Sequence, residues 1–466
     1  MIRKYISKYK SIRFSTLAVN EASYLQPDFV IAASNCTHLI KEMAKNDNTS
    51  ENFNLRFKSE SDFDSKIKQF SKDMIHPLSI RDIYSFSEKK LEIEQAKFLW
   101  KELPIRFTRS YIELQNLPFG LSESVAVKSV SSWYKNILLA LFSFPEPKTE
   151  ALEKSYANML ASLLLEHAQV PHALGLGIKE LKTNHRLSLV EQHRIDQILN
   201  SFFLMRISLR FLVEQYISSK QNRNGFRGLI QTQCSPVLVA QNAAHDVAHL
   251  CNRHLQYFPD IQVYGSKNDV FTAIPTHLYH ILTELLKNSC RATILHHKLT
   301  SNIGSGVSPP IKVIVAGGRE DITIKVMDEG GGIKRSDLQH VWSYMFSSTP
   351  KPELSLKEPF PFDHISQFKE GECGHSFSLW GHGIGLPLIR LYARYFGGSL
   401  KLRPMEGYGT DAYVHLHRLK SSSKELFPDN LGKTIQQMGF DGRMCTGKIP
   451  WMKKLADTSK RPNFKC

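Results

Sequence analysis

The sequence predicts an α plus α/β architecture, a four-helix bundle followed by an α/β sandwich, and three observations predict it. Apolar residues recur at helical spacing from about Ile80 to Tyr216. Beyond about residue 235 helical segments mix with alternating strand-like runs. The second half alone carries three glycine-rich motifs.

In the first half, Leu99, Leu103 and Phe107 stand at i, i+4 and i+8 within Leu91 to Arg109. Ser124 to Phe144 carries Val125, Val130, Trp133, Ile137 and Leu141, and Leu152 to Ala168 and Ile195 to Tyr216 follow the same rule. Four such helices in succession fit a bundle. Residues 42 to 66 are polar and read as an exposed loop, and Gly225 to Ser235 reads as a linker. Helices are then expected over Ala240 to Tyr257 and Thr276 to His297. Ile311 to Ala316 and Ile322 to Met327 alternate as an antiparallel hairpin. Leu386 to Phe396 reads as a helix stopped by Gly397 and Gly398, with strands at Leu400 to Arg403 and Asp411 to His417.

The chain has 466 residues, a hydrophobic fraction of 42% and a net charge of +16. It contains no apolar run of the roughly 18 residues a membrane helix needs. Much of the charge sits at the ends. Arg3, Lys4, Lys8, Lys10 and Arg13 precede the first acid, Glu21, among Ile2, Tyr5, Ile6 and Tyr9 at helical spacing and several hydroxyl residues. That is the composition of a mitochondrial import presequence over residues 1–25, with the matrix as destination. The tail, residues 421–466, sets nine Lys or Arg against four acids. No basic helix with interleaved aromatics occurs, so the charge does not indicate a nucleic-acid partner. The seven cysteines contain no C-x-x-C pair, which fits a reducing interior.

The candidate site begins on a helix. His280, Glu284, Asn288 and Arg291 stand at i, i+4, i+8 and i+11, all on one face, beside an apolar face of Leu278, Ile281, Leu285 and Ile294. Asp328-Glu-Gly330-Gly-Gly332 follows a strand directly, and three glycines there suit close approach of backbone to a ligand. Gly381-His382-Gly383-Ile384-Gly385-Leu386-Pro387 leads into a helix, where free amides bind phosphate. It is neither a dinucleotide fingerprint nor a Walker motif. Gly407-Tyr-Gly-Thr410-Asp411 turns into the last strand. Each motif alone has an ordinary reading as a polar helix face, a turn or a surface loop. His364, Cys373, His375 and His382 lack the spacing of zinc ligands.

Taken in order, these motifs resemble the nucleotide pocket of the GHKL superfamily: gyrase-type ATPases, heat-shock chaperone relatives, histidine kinases and the mitochondrial protein kinases. Glu284-Leu-Leu-Lys-Asn-Ser-Cys-Arg-Ala-Thr293 and Gly385-Leu-Pro-Leu-Ile-Arg-Leu-Tyr-Ala-Arg-Tyr-Phe-Gly-Gly398 are similar to the pyruvate dehydrogenase kinases and branched-chain 2-oxoacid dehydrogenase kinases. So are Glu406-Gly-Tyr-Gly-Thr-Asp-Ala412, Lys101-Glu-Leu-Pro-Ile-Arg106, Ser132-Trp-Tyr134 and Arg206-Ile-Ser-Leu-Arg210. The resemblance covers about residues 75–420 and leans to the pyruvate dehydrogenase branch.

It implies a Bergerat-type ATP-binding kinase domain over 236–420 behind a helical domain over 75–230. It also implies transfer from MgATP to a serine of a dehydrogenase E1 alpha subunit, a lipoyl domain of E2 as docking partner, and a homodimer or related heterodimer. The implied roles are Glu284 as general base, tuned by His280, and Asn288 as Mg²⁺ ligand. Lys287 and Arg291 would lie near phosphate, and Asp328, Gly330, Gly332 and Thr410 would hold adenine. Ser347, Ser348 and Gly381 to Leu386 would form a lid. His185 resembles a bundle histidine near the family's effector pocket, or caps a helix. The chain departs from the family at Ser289 and Cys290, in a longer 347–380 segment, and in lacking an Asp-Trp pair in the tail. The alternatives are the branched-chain kinase, an ATPase with the same pocket, and a non-catalytic scaffold.

Overall fold

The computed structural model describes residues 12–14, 60–88, 91–185, 187–221, 223–255, 257–300, 308–346, 383–420 and 423–427. The expected presequence (apart from 12–14), Ser347, Ser348, Gly381, His382 and nearly all of the tail lie outside them.

Among the described residues the chain runs through a strand β1 (Ile12–Phe14), then helices α1 (Glu60–Phe70), α2 (Ile80–Glu88), α3 (Glu92–Gln115), α4 (Val125–Ser143), α5 (Glu150–Glu166), α6 (Val170–Asn184) and α7 (Leu189–Ser219). Strands β2 (Phe226–Arg227) and β3 (Ile230–Cys234) precede α8 (Pro236–Leu255), β4 (Ile261–Tyr264), β5 (Phe271–Ala273) and α9 (Pro275–Thr300). The chain continues through β6 (Ile311–Gly317), β7 (Asp321–Asp328), α10 (Gly385–Arg394), β8 (Ser399–Met405) and β9 (Gly409–His417).

Local chemistry sets the helix starts. Ser124 caps α4 by accepting the Val127 amide at 3.3 Å. Ser188 and Glu191 form a capping box at α7. The bundle gains a long helix that periodicity missed, α6, because Pro171, Gly175 and Gly177 resemble breakers. Pro171 sits in the first turn, where its missing N–H costs nothing. The glycines allow close packing: a Cβ on Gly177 would lie 2.8 Å from Ser124 Oγ.

Two further expectations are corrected. Residues 60–66 are helix and not loop: Phe63 is buried, with its ring edge-on to Tyr111 and tilted against Phe142. The expected linker at Gly225 to Ser235 is instead sheet, since β2, β3 and β5 form a three-stranded antiparallel sheet. Its polar residues Gln231, Thr232 and Gln233 face outward while Ile230 and Cys234 are buried.

The main sheet has the order β1-β4-β6-β7-β9-β8, antiparallel except for the parallel pair β4–β6. Val313, Val315, Ile322, Ile324, Val326 and Val414 pack one face against α8 and α9. The hairpin β6–β7 and strands β8 and β9 lie where the alternation places them. The helical half has its own core, which also takes in Tyr344, Ile384, Leu391, Tyr395 and Phe427 from the second half. Helix α10 contributes Leu391 to that core and Ile389 and Ala393 to the sheet core, so one short helix serves both.

Candidate nucleotide and phosphoryl-transfer site

Helix α9 is built on a buried apolar face of Leu278, Ile281, Leu282, Leu285 and Leu286. Its polar row turns toward the end of β7 and the start of α10. Glu284 Oε1 accepts from Lys287 Nζ at 2.6 Å. The other oxygen of that carboxylate faces Gly385, where a Cβ would lie 2.6 Å from Glu284 Oε2. A side chain at 385 would push the Glu284 carboxylate out of this position, at the first residue of α10. Among the described residues no side chain caps that helix, whose N-cap is the apolar Ile384, and amides at a helix start suit an anion.

His280, one turn before Glu284, stacks edge-on to Tyr392 of α10, with ring centroids 4.9 Å apart. Burial lowers its pKa, and the neighbouring Lys287 charge works the same way while Glu284 opposes. The ring is therefore neutral at physiological pH. Burial likewise lowers the pKa of Arg291, which Glu284 partly counters. Lys287 is buried, and Asn288 is partly exposed on the same face.

Asp328 closes the other side of the pocket. It is 8% exposed and stands opposite Thr410 in the β7–β9 ladder. Its Oδ1 accepts the amides of Gly330 and Thr410, both at 3.1 Å. Its Oδ2 accepts the Ser289 hydroxyl at 2.8 Å. Burial pushes the Asp328 carboxyl above its ordinary range, against the pull of these three donors. Ser289 stood out in the sequence only as a departure from the family, with no role attached to it. Its partnership depends on a strand 39 residues away, and the only signal was its polarity at a buried position beside Asn288.

The glycines act somewhat differently from the expectation. Their backbone approaches protein as well as any ligand. A Cβ on Gly330 would lie 2.6 Å from that of Ala292 on α9. Gly332 has φ +71°, and a Cβ there would lie 2.2 Å from the Met405 carbonyl. Gly331 donates to the Tyr408 carbonyl at 3.1 Å and accepts from Gly407 at 2.9 Å. The triple-glycine turn is thus clamped between α9 and the β8–β9 turn, which fixes Asp328. Thr410 reaches Asp328 through its backbone amide.

Gly383, Ile384 and Leu386 lie at the start of α10. Gly383 (φ +76°) accepts the Met345 amide at 2.8 Å, which draws together the two sides of the 347–382 segment. Ile384 is buried in the helical core, and a Cβ on Gly175 of α6 would lie 2.7 Å from its Cδ1. Leu386 packs against the sheet core. His185 stands apart from this site. It is the exposed residue that ends α6, its amide donating to the Leu181 carbonyl at 2.8 Å.

The donor set fits a nucleoside triphosphate. A buried carboxylate suits an exocyclic amine, and Lys287, Arg291 and the start of α10 suit phosphate. A neutral side-chain oxygen at Asn288 suits a hard cation.

Comparison with known proteins agrees. A family model described as "Mitochondrial branched-chain alpha-ketoacid dehydrogenase kinase" matches residues 77–244. One described as "Histidine kinase-, DNA gyrase B-, and HSP90-like ATPase" matches residues 273–420. The mitochondrial pyruvate dehydrogenase (acetyl-transferring) kinase of Arabidopsis thaliana is 39% identical over 354 residues, covering 75% of this chain and 92% of that protein. This chain belongs to the mitochondrial pyruvate dehydrogenase kinase family. Its similarity extends to the Homo sapiens isozyme 4, 33% identical over 376 residues, with 78% of this chain and 86% of that one covered. The Drosophila melanogaster kinase is 32% identical over 367 residues, covering 76% and 84%. The pocket described here lies wholly within the region of this chain matched by the ATPase-like model.

Proposed function

We propose that this protein is a protein kinase that uses ATP to phosphorylate, and thereby inactivate, the E1 alpha subunit of the pyruvate dehydrogenase complex on serine, within the mitochondrial matrix. Membership of the family carries kinase activity and ATP use. The finer reading rests on one observation: the Glu284 carboxylate meets the start of α10 at Gly385, the place where a phosphate and an incoming hydroxyl would converge.

In this reading Glu284 accepts the serine proton as general base. Its bond to Lys287 keeps the carboxylate oriented before substrate arrives. Neutral His280, held against Tyr392, supports the helix turn that carries Glu284. Asp328 receives the adenine amine, with Ser289, Gly330 and Thr410 holding it in place. Lys287, Arg291 and the amides of Gly385 and Leu386 neutralise phosphate charge, the main task in phosphoryl transfer. Asn288 would hold Mg²⁺, which when bound neutralises and orients the phosphates. Ser347, Ser348, Gly381 and His382 complete the lid in this proposal. An import presequence over residues 1–25, docking on an E2 lipoyl domain, and a dimeric state belong to the same proposal. No helix among the described residues is long and apolar enough to cross a membrane.

The test is incubation of the purified chain with γ-labelled ATP and Mg²⁺, with either the pyruvate or the branched-chain E1 component. Label on a serine of the pyruvate E1 alone supports the proposal. Label on the branched-chain E1 alone would transfer the assignment to that substrate, the reading named by the match over residues 77–244. Glu284→Gln should bind ATP normally and lose most transfer; retained transfer would remove Glu284 as the base.

A further inference from the structure

The kinase site leaves one side-chain cluster unused. On α8, His245 and His249 stand one turn apart, and their Nε2 atoms approach to 3.1 Å. Their rings are inclined at 72° with centroids 4.4 Å apart. His245 turns its Nδ1 toward Asp246 Oδ1 at 3.2 Å. The other oxygen of Asp246 accepts the Tyr279 hydroxyl of α9 at 2.5 Å. His249 is exposed and His245 partly so, which leaves the pair open to solvent.

We propose that His245 and His249 form a binding site for a divalent transition-metal ion of the zinc class, with Asp246 orienting His245 and water completing the shell. Two histidines at i and i+4 on one helix face are a recurrent zinc-binding arrangement. With metal–nitrogen bonds of about 2.05 Å, the observed 3.1 Å separation gives an N–metal–N angle of about 98°. Widening the pair by about 0.2–0.3 Å reaches the tetrahedral angle. Asp246 supplies the part usually found behind a ligating histidine, a carboxylate accepting the other ring N–H. That bond puts the His245 proton on Nδ1, so in the metal-free protein its Nε2 accepts the His249 Nε2–H, and the ion would take the place of that shared proton. His249 becomes a ligand by carrying its own proton on Nδ1.

Two charged side chains act on His249, Arg253 and Asp246. The Arg253 charge opposes a dication and Asp246 favours it. Among the described residues no three His, Cys, Asp or Glu side chains converge on one point, so the site has two protein ligands and water fills the other positions. The site is tied to the kinase centre by one link, since Tyr279 directly precedes His280 in the chain.

The experiment is calorimetric titration of the purified, metal-stripped full chain with Zn²⁺, alongside His245→Gln/His249→Gln and Asp246→Asn. The chain should bind one more Zn²⁺ equivalent than the double variant. Zn²⁺ should raise the melting temperature of the parent and not of the double variant, because a ligand bound only by the folded state stabilises it. Asp246→Asn should weaken that equivalent about 10-fold, the lower end of second-shell effects. Mg²⁺ should give no heat at this site, since imidazole suits zinc and not magnesium. Equal stoichiometry and equal thermal response in parent and double variant would overturn the proposal. Without zinc, His249→Gln should retain the parent's kinase activity.

Discussion

Residues 423–427 pass back over the helical half and bury Glu425 completely beside Arg106. The Arg106 guanidinium, itself 0% exposed, bonds Glu102 at 2.9 Å and Glu425 at 3.1 and 3.2 Å. Glu425 also accepts the Leu78 amide at 3.0 Å, the Ser208 hydroxyl at 3.2 Å and the Tyr395 hydroxyl just past the end of α10. Glu425→Ala removes all of these acceptors at once. Breaking a buried pair by deleting one partner costs about 3–5 kcal/mol, because the remaining charge stays desolvated. Glu102 still pairs with Arg106, which places the expected loss toward the lower end, about 3 kcal/mol. Glu425→Gln keeps the shape and one oxygen and should lose less. Denaturant unfolding followed by fluorescence measures both, and the slope with denaturant should be unchanged. A loss for Glu425→Ala below about 1 kcal/mol, the value of a solvated surface pair, would refute the argument that this segment seals a dry ion pair.

Three other outcomes follow from the pocket. Ser289→Ala removes a donor that holds Asp328 down, so its already raised pKa should rise further. Since the folded state binds that proton more tightly than the unfolded chain, stability declines as pH rises between the two pKa values; in the proposed role nucleotide binding needs the carboxylate and is lost as pH falls through the folded value. The acid limb of KM for ATP against pH should therefore move to higher pH in Ser289→Ala; an unmoved limb would separate Asp328 from adenine recognition. Gly332→Ala sets a Cβ against the Met405 carbonyl at φ +71° and should weaken ATP binding at least 10-fold, measured by calorimetry. Gly175→Val pushes on Ile384, whose neighbour Gly385 abuts Glu284, and should lower kcat several-fold for an overpacking cost of about 1–3 kcal/mol. An unchanged kcat would show that the helical half does not position the base.

What could be read from the chain was what repeats locally. The α9 row of His280, Glu284, Asn288 and Arg291 obeys helical spacing and is found without knowing what it faces. The hairpin of β6 and β7 alternates cleanly, buried and half-buried, as one-sided sheet must. Features set by a distant partner were hidden. Gly175 and Gly177 look like breakers until Ile384 and Ser124 are seen against them. Helix α1 is rich in charge, and its Phe63, Ile67 and Phe70 stripe gains meaning only from Tyr111 and Phe142. β4 and β5 are too short, at 4 and 3 residues, to show a period. Ser289 looked like a neutral variation because the carboxylate it serves lies on another element.

The same distinction bears on how the two halves act together. Helix α10 begins at the Glu284 carboxylate and is followed at its C-cap by Tyr395, bonded to Glu425 beside Arg106. Between these points it gives Leu391 to the helical core and Ile389 to the sheet core. Well-packed cores resist small displacements, so a helix held by both cannot shift relative to one without disturbing the other. Met345 and Gly383 are bonded to each other, Tyr344 stacks on Phe203 of α7 with centroids 5.3 Å apart, and its amide donates to Asp196 at 3.1 Å. The backbone around Gly383 and Met345, the phosphate end in the proposed reading, is therefore fixed from the helical half, whereas Asp328, the proposed adenine end, is fixed from α9 and the sheet. A change of packing among Phe203, Asp196 and Gly175 would reach Glu284 and the start of α10 first and leave the surroundings of Asp328 largely intact.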